Sequence, residues 1–149
     1  HSYTLAGRFG VTLKVTDSNG CVATSTRANM VTASTPPTVL VTNSPVSLNS
    51  CTAPFTVTFS AANSTSNSPT GTNLTYAWNF GNGTTSTLVN PPSVTYTATG
   101  TYTVTLVVTD NLGCSTTITK NVLVDRPVAS FFAVGAVNAL QIVKINRNN

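Results

Sequence analysis

The chain is dominated by short stretches in which apolar and polar residues alternate strictly. Phe9, Val11, Leu13 and Val15 alternate with Gly10, Thr12, Lys14 and Thr16, and Phe55, Val57 and Phe59 alternate with Thr56, Thr58 and Ser60. Tyr76, Trp78 and Phe80 share one face, with Ala77 and Asn79 on the other, and Tyr102, Val104, Leu106 and Val108 alternate with Thr103, Thr105, Val107 and Thr109. A period of two places every second side chain on one face of a half-buried β-strand. Turn formers separate these runs: Asp17-Ser18-Asn19-Gly20, Asn43-Ser44-Pro45, Gly81-Asn82-Gly83, Asn90-Pro91-Pro92 and Asp110-Asn111-Leu112-Gly113. Further strands are expected over Cys21–Val31, around Val39 and Val41, at the edge over Thr84–Val89, at Val94 and Tyr96, and over Thr116–Val124. Asn63–Asn73 reads as a polar loop, and no stretch sustains a helical period. Strands about ten residues apart with turns between them predict an all-β sandwich.

The pattern also repeats. Tyr3-Thr4, Gly7, Phe9, Val11-Thr12-Leu13, Val15-Thr16-Asp17 and Gly20-Cys21 recur as Tyr96-Thr97, Gly100, Tyr102, Val104-Thr105-Leu106, Val108-Thr109-Asp110 and Gly113-Cys114. The offset of about 93 residues is the length of one small sandwich. Pro127–Phe131 likewise resembles Pro37–Val41, and Val143–Asn149 resembles Val57–Asn63. Thr35-Pro36-Pro37 breaks the alternation. The expected organisation is the closing strands of one repeat over 1–35, a complete repeat over 36–125, and the opening strands of a third over 126–149. The chain thus reads as a piece of a longer polypeptide.

Composition narrows the function classes. Hydrophobic residues make up 40% of the chain, enough for a core, while charged residues make up only 7%. Thr, Ser and Asn fill the surface positions, as is common in secreted and cell-surface β proteins. The net charge of +4 comes from scattered bases and a lack of acids, not from the basic run or face that nucleic acid requires. No apolar run approaches the roughly 20 residues of a membrane span. Asp17, Asp110 and Asp125 are the only acids and His1 the only histidine, so paired carboxylates, a catalytic triad and a zinc site have no residues to build them. Asp17 and Asp110 fall at equivalent hairpin turns, where Asp caps its own backbone. No catalytic residue, cofactor or metal site is expected. Asn63, Asn73 and Asn82 each begin an N-glycosylation acceptor pattern.

The aromatic strand with its Gly-Asn-Gly turn, Asn90-Pro91-Pro92, Val94-Thr95-Tyr96 and Gly100–Leu106 together resemble the PKD (polycystic kidney disease) domain, most closely the tandem repeats of large bacterial surface proteins. The resemblance implies an immunoglobulin-like β-sandwich that serves as spacer, stalk or interaction module outside the cell, not as a catalyst. It marks Tyr76, Trp78, Phe80, Tyr96 and Tyr102 as the core signature; the phase of Trp78 places it in the core and not on a sugar-stacking platform. In relatives that carry both positions, the resemblance implies a disulfide between Cys51 and Cys114, two buried free thiols being the alternative. The family's strand and turn usually read Trp-Asp-Phe-Gly-Asp-Gly. Asn79 and Asn82 replace both acids here, which removes two carboxylates from any calcium site. The expected partners are neighbouring repeats of the same or adjacent chains and surface glycans or proteins, with strand complementation a route to a homopolymer. The rival reading is an accessory module that binds polysaccharide or collagen for a secreted hydrolase.

Overall fold

The computed structural model describes residues 1–127. Ten strands, and no helix, occur among them: β1 (Gly7–Thr16), β2 (Val22–Ala33), β3 (Thr42–Ser44), β4 (Asn49–Ser50), β5 (Phe55–Ser60), β6 (Leu74–Asn79), β7 (Thr85–Ser86), β8 (Val94–Tyr96), β9 (Gly100–Asp110) and β10 (Ser115–Val124). The strand resemblances read over Pro127–Phe131 and Val143–Asn149 lie, but for Pro127, outside the described residues.

Two sheets build the sandwich. One has the order β4-β10-β9-β6-β7 and the other β3-β5-β8. The alternation in β9 dictates their contact: Val104, Leu106 and Val108 point inward and are at most 2% exposed, while Thr105 and Val107 between them are half-buried and Thr103 is exposed. Val57, Phe59 and Ala61 from the β5 segment, Val94 and Tyr96 from β8, and Val122 and Val124 from β10 close the core around Trp78 and Phe80. Each buried Val, Leu or Phe side chain contributes about 1.5–3 kcal/mol through burial.

The first strand of the complete repeat departs from its expected form. Val39 and Val41 pack on the core without joining a ladder: Thr38 makes a single antiparallel bridge to Thr65, and continuous pairing begins at Thr42, opposite Ser60. The chain then changes sheets: β3 pairs antiparallel with β5, whereas β4 runs parallel to β10, Asn49 opposite Leu123 and Ser50 opposite Val124. Pro45 stands between them and, lacking an N–H, cannot extend the first ladder. The edge expected over Thr84–Val89 shortens to the two residues of β7.

This strand switch overturns the Cys51–Cys114 bridge. Because β4 is parallel to β10, Cys51 follows it at the far end of β10, where Asp125 N donates to Ser50 O at 2.8 Å. Cys114 precedes the other end of β10. Ten strand residues at about 3.3 Å each separate the two by roughly 30 Å, against the Cα spacing of under about 7 Å that a disulfide needs. All three cysteines are free, and neither of this pair is buried: Cys51 is exposed and Cys114 half-buried.

Ahead of the sandwich, β1 and β2 form a separate antiparallel hairpin whose register shifts between Phe9 and Val11. Asn29 absorbs the shift with φ of 54°, a left-handed conformation that Asn tolerates.

Candidate functional site

The aromatic strand ends in a turn whose glycine has no substitute. Gly81 sits at φ 76°, and a Cβ there would meet Thr103 O at 2.7 Å and Thr103 N at 2.9 Å. The turn therefore lies directly on the backbone of β9. Asn79 Oδ1 accepts from Gly81 N at 2.9 Å, and Asn82 Oδ1 accepts from Thr84 N at 3.1 Å and from Thr84 Oγ1 at 2.6 Å. Asn82 Nδ2 also donates to Thr95 O at 3.4 Å, a bond that a carboxylate could not make. The oxygens that would face a cation are engaged within the loop. No group of three His, Cys, Asp or Glu side chains is suited to a metal among the described residues.

The aromatic side chains are likewise occupied by the fold. Trp78 and Phe80 are 3% and 2% exposed, with ring centroids 5.7 Å apart at 12°, and Phe59 packs 5.9 and 5.7 Å from them. Trp78 Nε1 donates to Leu88 O at 3.0 Å. Tyr96 is fully buried and donates its hydroxyl to Phe80 O at 3.1 Å. Burial, and then the neighbouring Tyr102, push the Tyr96 phenol up to about 12, so it stays a donor at physiological pH. Tyr76 and Tyr102 are half-buried against this cluster, and Tyr102 donates to Ala98 O at 2.9 Å. None of these rings offers an open stacking face like that of a sugar platform. A shallow depression beside β7, lined by Asn82, Thr84, Ser86, Leu88, Pro92 and Thr95 among others, is uncharged and mostly apolar, with a few hydroxyl and amide groups.

The charged residue that the fold draws inward is Asp110, only 6% exposed. It continues the inward phase of Val104, Leu106 and Val108, a parity visible in the sequence that turn-capping alone does not explain. Asp110 Oδ1 accepts from Leu112 N and Cys114 N, both at 2.9 Å, and Oδ2 accepts from Ser34 Oγ at 2.8 Å. Ser34 belongs to the segment joining the hairpin to the sandwich. Thr116 Oγ1 and Asn67 Nδ2 pin the same segment by donating to Pro37 O and Pro36 O, each at 2.7 Å. Burial alone would raise the Asp110 carboxyl, but the Ser34 hydroxyl and the amides of Leu112, Cys114 and Gly113 outweigh it and hold the group below its ordinary value. His1, Asn63 and Asn73 are all exposed, His1 with its ring centroid 6.0 Å from that of Tyr3.

These features describe an immunoglobulin-like sandwich whose polar and aromatic groups serve architecture. The family model described as the PKD domain matches residues 35–124, more than half of the chain, and the chain belongs to the PKD domain family. Its sequence is 46% identical over 65 residues to the pre-pro-metalloprotease PrtV of Vibrio cholerae, a match that covers 44% of this chain and 7% of that protein. Among solved structures, the PKD1 domain of Vibrio anguillarum Epp is 32% identical, with 64% of this chain and 100% of that one covered and a TM-score of 0.48. The PKD1 domain of the Vibrio cholerae metalloprotease PrtV is 34% identical, with 60% and 98% covered and a TM-score of 0.44.

Two outcomes follow for this turn and clasp. Gly81→Ala loses about 1–3 kcal/mol to backbone strain and a further amount to the Thr103 contact. Gly83→Ala, at φ 88° with nothing within 4 Å of the added Cβ, loses only the strain. Urea unfolding of both variants checks the difference; equal losses would refute the role of the Thr103 contact. The second outcome concerns acid. A carboxyl lowered on folding contributes stability above its unfolded pKa, which is lost as pH falls through its folded pKa. Ser34→Ala therefore lowers the melting temperature at neutral pH, and its deficit against the parent shrinks on acidification. A deficit that stays constant with pH would show that Ser34 does not act through the charged Asp110.

Proposed function

We propose that this chain is part of a non-enzymatic, extracellular array of PKD sandwiches in a large surface or filamentous protein, acting as stalk, spacer and adhesion module. Residues 1–35 are the closing strands of one repeat, 36–125 a complete repeat, and 126–149 the opening strands of the next. The observation that carries this reading is the recurrence of one hairpin turn in atomic detail. Asp17 and Asp110 each accept at Oδ1 from the amides two and four residues on, at 2.8–2.9 Å, and each donates its own amide to the carbonyl of the following cysteine, Cys21 at 3.0 Å and Cys114 at 2.9 Å. In such an array the pinned Ser34–Pro37 segment sets the angle between neighbours, and the uncharged Thr/Ser/Asn faces meet glycans or proteins. The low charge supports a place outside the cell, and no helix among the described residues is long and apolar enough to cross a membrane. Solution scattering from the full-length parent protein should give an elongated particle that lengthens with each repeat. A compact globule would overturn the proposal.

A second reading, a substrate-binding accessory module of a secreted hydrolase, draws support from the 46% identity to a stretch of a metalloprotease precursor. It ranks lower because the aromatics that would grip a polymer point inward. Incubated with insoluble chitin, cellulose or collagen, the chain should remain in the supernatant; retention on any of them would reverse the ranking.

A further inference from the structure

The hairpins β1–β2 and β9–β10 correspond by ladder position as well as by sequence. Gly7 pairs with Ala33 as Gly100 pairs with Val124, and Val11 pairs with Arg27 as Val104 pairs with Lys120. Tyr3 and Phe9 pack with ring centroids 4.4 Å apart, and Tyr96 and Tyr102 with centroids 4.6 Å apart. Strand β2 has 12 residues where β10 has 10, and the extra residues are taken up at the register shift between Phe9 and Val11. Ala33 is therefore the counterpart of Val124, and Ser34, the next residue, is the counterpart of Asp125. Each of these two residues has a cysteine beside it. Asp125 N donates to Ser50 O at 2.8 Å, and Cys51, exposed, follows directly. Ser34 O accepts from the Cys114 thiol at 3.9 Å, and Ser34 Oγ donates to Asp110 Oδ2 at 2.8 Å. One cysteine thus stands where the chain leaves a repeat and the other where it enters the next. They cannot serve the same sandwich, whose β10 separates them by roughly 30 Å.

We propose that Cys114 is a covalent cross-linking site for the cysteine at the Cys51 position of the preceding repeat, and that Cys51 joins in the same way to the Cys114 position of the following one. The proposal rests on the array reading. Carried over to the preceding repeat, the Ser50–Asp125 bond becomes a bond from Ser34 N to the counterpart of Ser50. The cysteine after that counterpart then lies beside the same residue whose carbonyl touches Cys114 Sγ. Contact of both with Ser34 is the proximity that a disulfide, with Cα atoms under about 7 Å apart, requires. The turn presents the entry-side cysteine in the same way each time: Asp110 Oδ1 accepts from Cys114 N at 2.9 Å, and Asp17 Oδ1 accepts from Cys21 N at 2.8 Å. An oxidising extracellular setting sustains such bonds. The bond forms by exchange with an external disulfide: the Cys114 thiolate attacks it and expels one thiol, and the second cysteine's thiolate attacks the mixed disulfide and expels the other. Two protein thiols are oxidised to one disulfide, and the external disulfide is reduced to two thiols that take up the two protons. The link then fixes covalently a junction that Ser34 otherwise holds by hydrogen bonds.

The links are mapped in the full-length parent protein, purified without reductant, alkylated with iodoacetamide, digested and read by mass spectrometry. A peptide containing Cys114 should be joined to one containing the Cys51 counterpart of the preceding repeat. Cys51 should be joined to the cysteine that follows the β9–β10 turn of the next repeat. Cys114→Ser in the parent should release one further alkylated thiol, in the preceding repeat, while the Cys51 link persists and reports that the repeat still folds. A Cys51–Cys114 link within one repeat, or alkylation of both cysteines, would overturn the site. So would a link between two copies of the parent, seen as a dimer that reduction dissolves. The outcomes are separable from scattering: an elongated particle with Cys51 and Cys114 alkylated refutes the bridge and leaves the array, whereas a compact globule removes the array and the bridge with it.

Discussion

The Tyr96 hydroxyl reaches across the sandwich to the Phe80 carbonyl, and much of the domain's geometry depends on that bond. Tyr96 belongs to the three-stranded sheet, and Phe80 lies just past the end of a strand of the other. A buried carbonyl without a partner would cost about 1–3 kcal/mol, so the ring must stand where its oxygen meets Phe80. That placement fixes where β6 stops, and Phe80 N closes the turn by donating to Thr84 O at 3.1 Å. With no side chain, Gly81 lets the turn settle on the backbone of Thr103, and the aromatic layer of Phe59, Trp78 and Phe80 fills the space this leaves. Tyrosine thus gives the core a large apolar body with a polar tip that ties one sheet to the other.

Asp110 plays the corresponding part at the opposite end of the sandwich. Strand parity carries its carboxylate inward, where desolvation is tolerable only because amides and the Ser34 hydroxyl saturate it. The charge therefore serves two connections at once, closing the β9–β10 hairpin and holding the segment that enters the domain. Asp17 makes the same bonds to its own turn but remains exposed. The turn is a local property of the Asp-x-x-Gly-Cys stretch; the clasp requires a second segment to be delivered to it.

The long strands and the core were legible in the sequence because alternation over six or more residues suits a half-buried strand and little else. Trp78, Phe80, Val104, Leu106 and Val108 could be placed inward from parity alone. The short strands were less legible. In β4 and β7 two residues cannot display a period, and their pairing follows from the sheets that happen to lie beside them. The fate of Cys51 shows the consequence: whether it nears Cys114 depends on the direction of the two-residue β4, and the parallel pairing sends it to the wrong end of β10. The clasp was half legible. The inward phase of Asp110 could be counted, but its partner Ser34 is 76 positions away and carries no local signal.

The two hairpins separate what sequence determines from what neighbours determine. Leu13 and Leu106 occupy the same place in the same pattern, yet one is 62% exposed and the other 1%. Turn chemistry, strand phase and the aromatic pair at the strand entrance are reproduced, so each hairpin specifies its own conformation. Burial is not reproduced, because it belongs to the strand on the free edge and the sheet across the core. The exposed Val11, Leu13 and Val15 of β1 do not realise the free energy of burial that Val104, Leu106 and Val108 of β9 do.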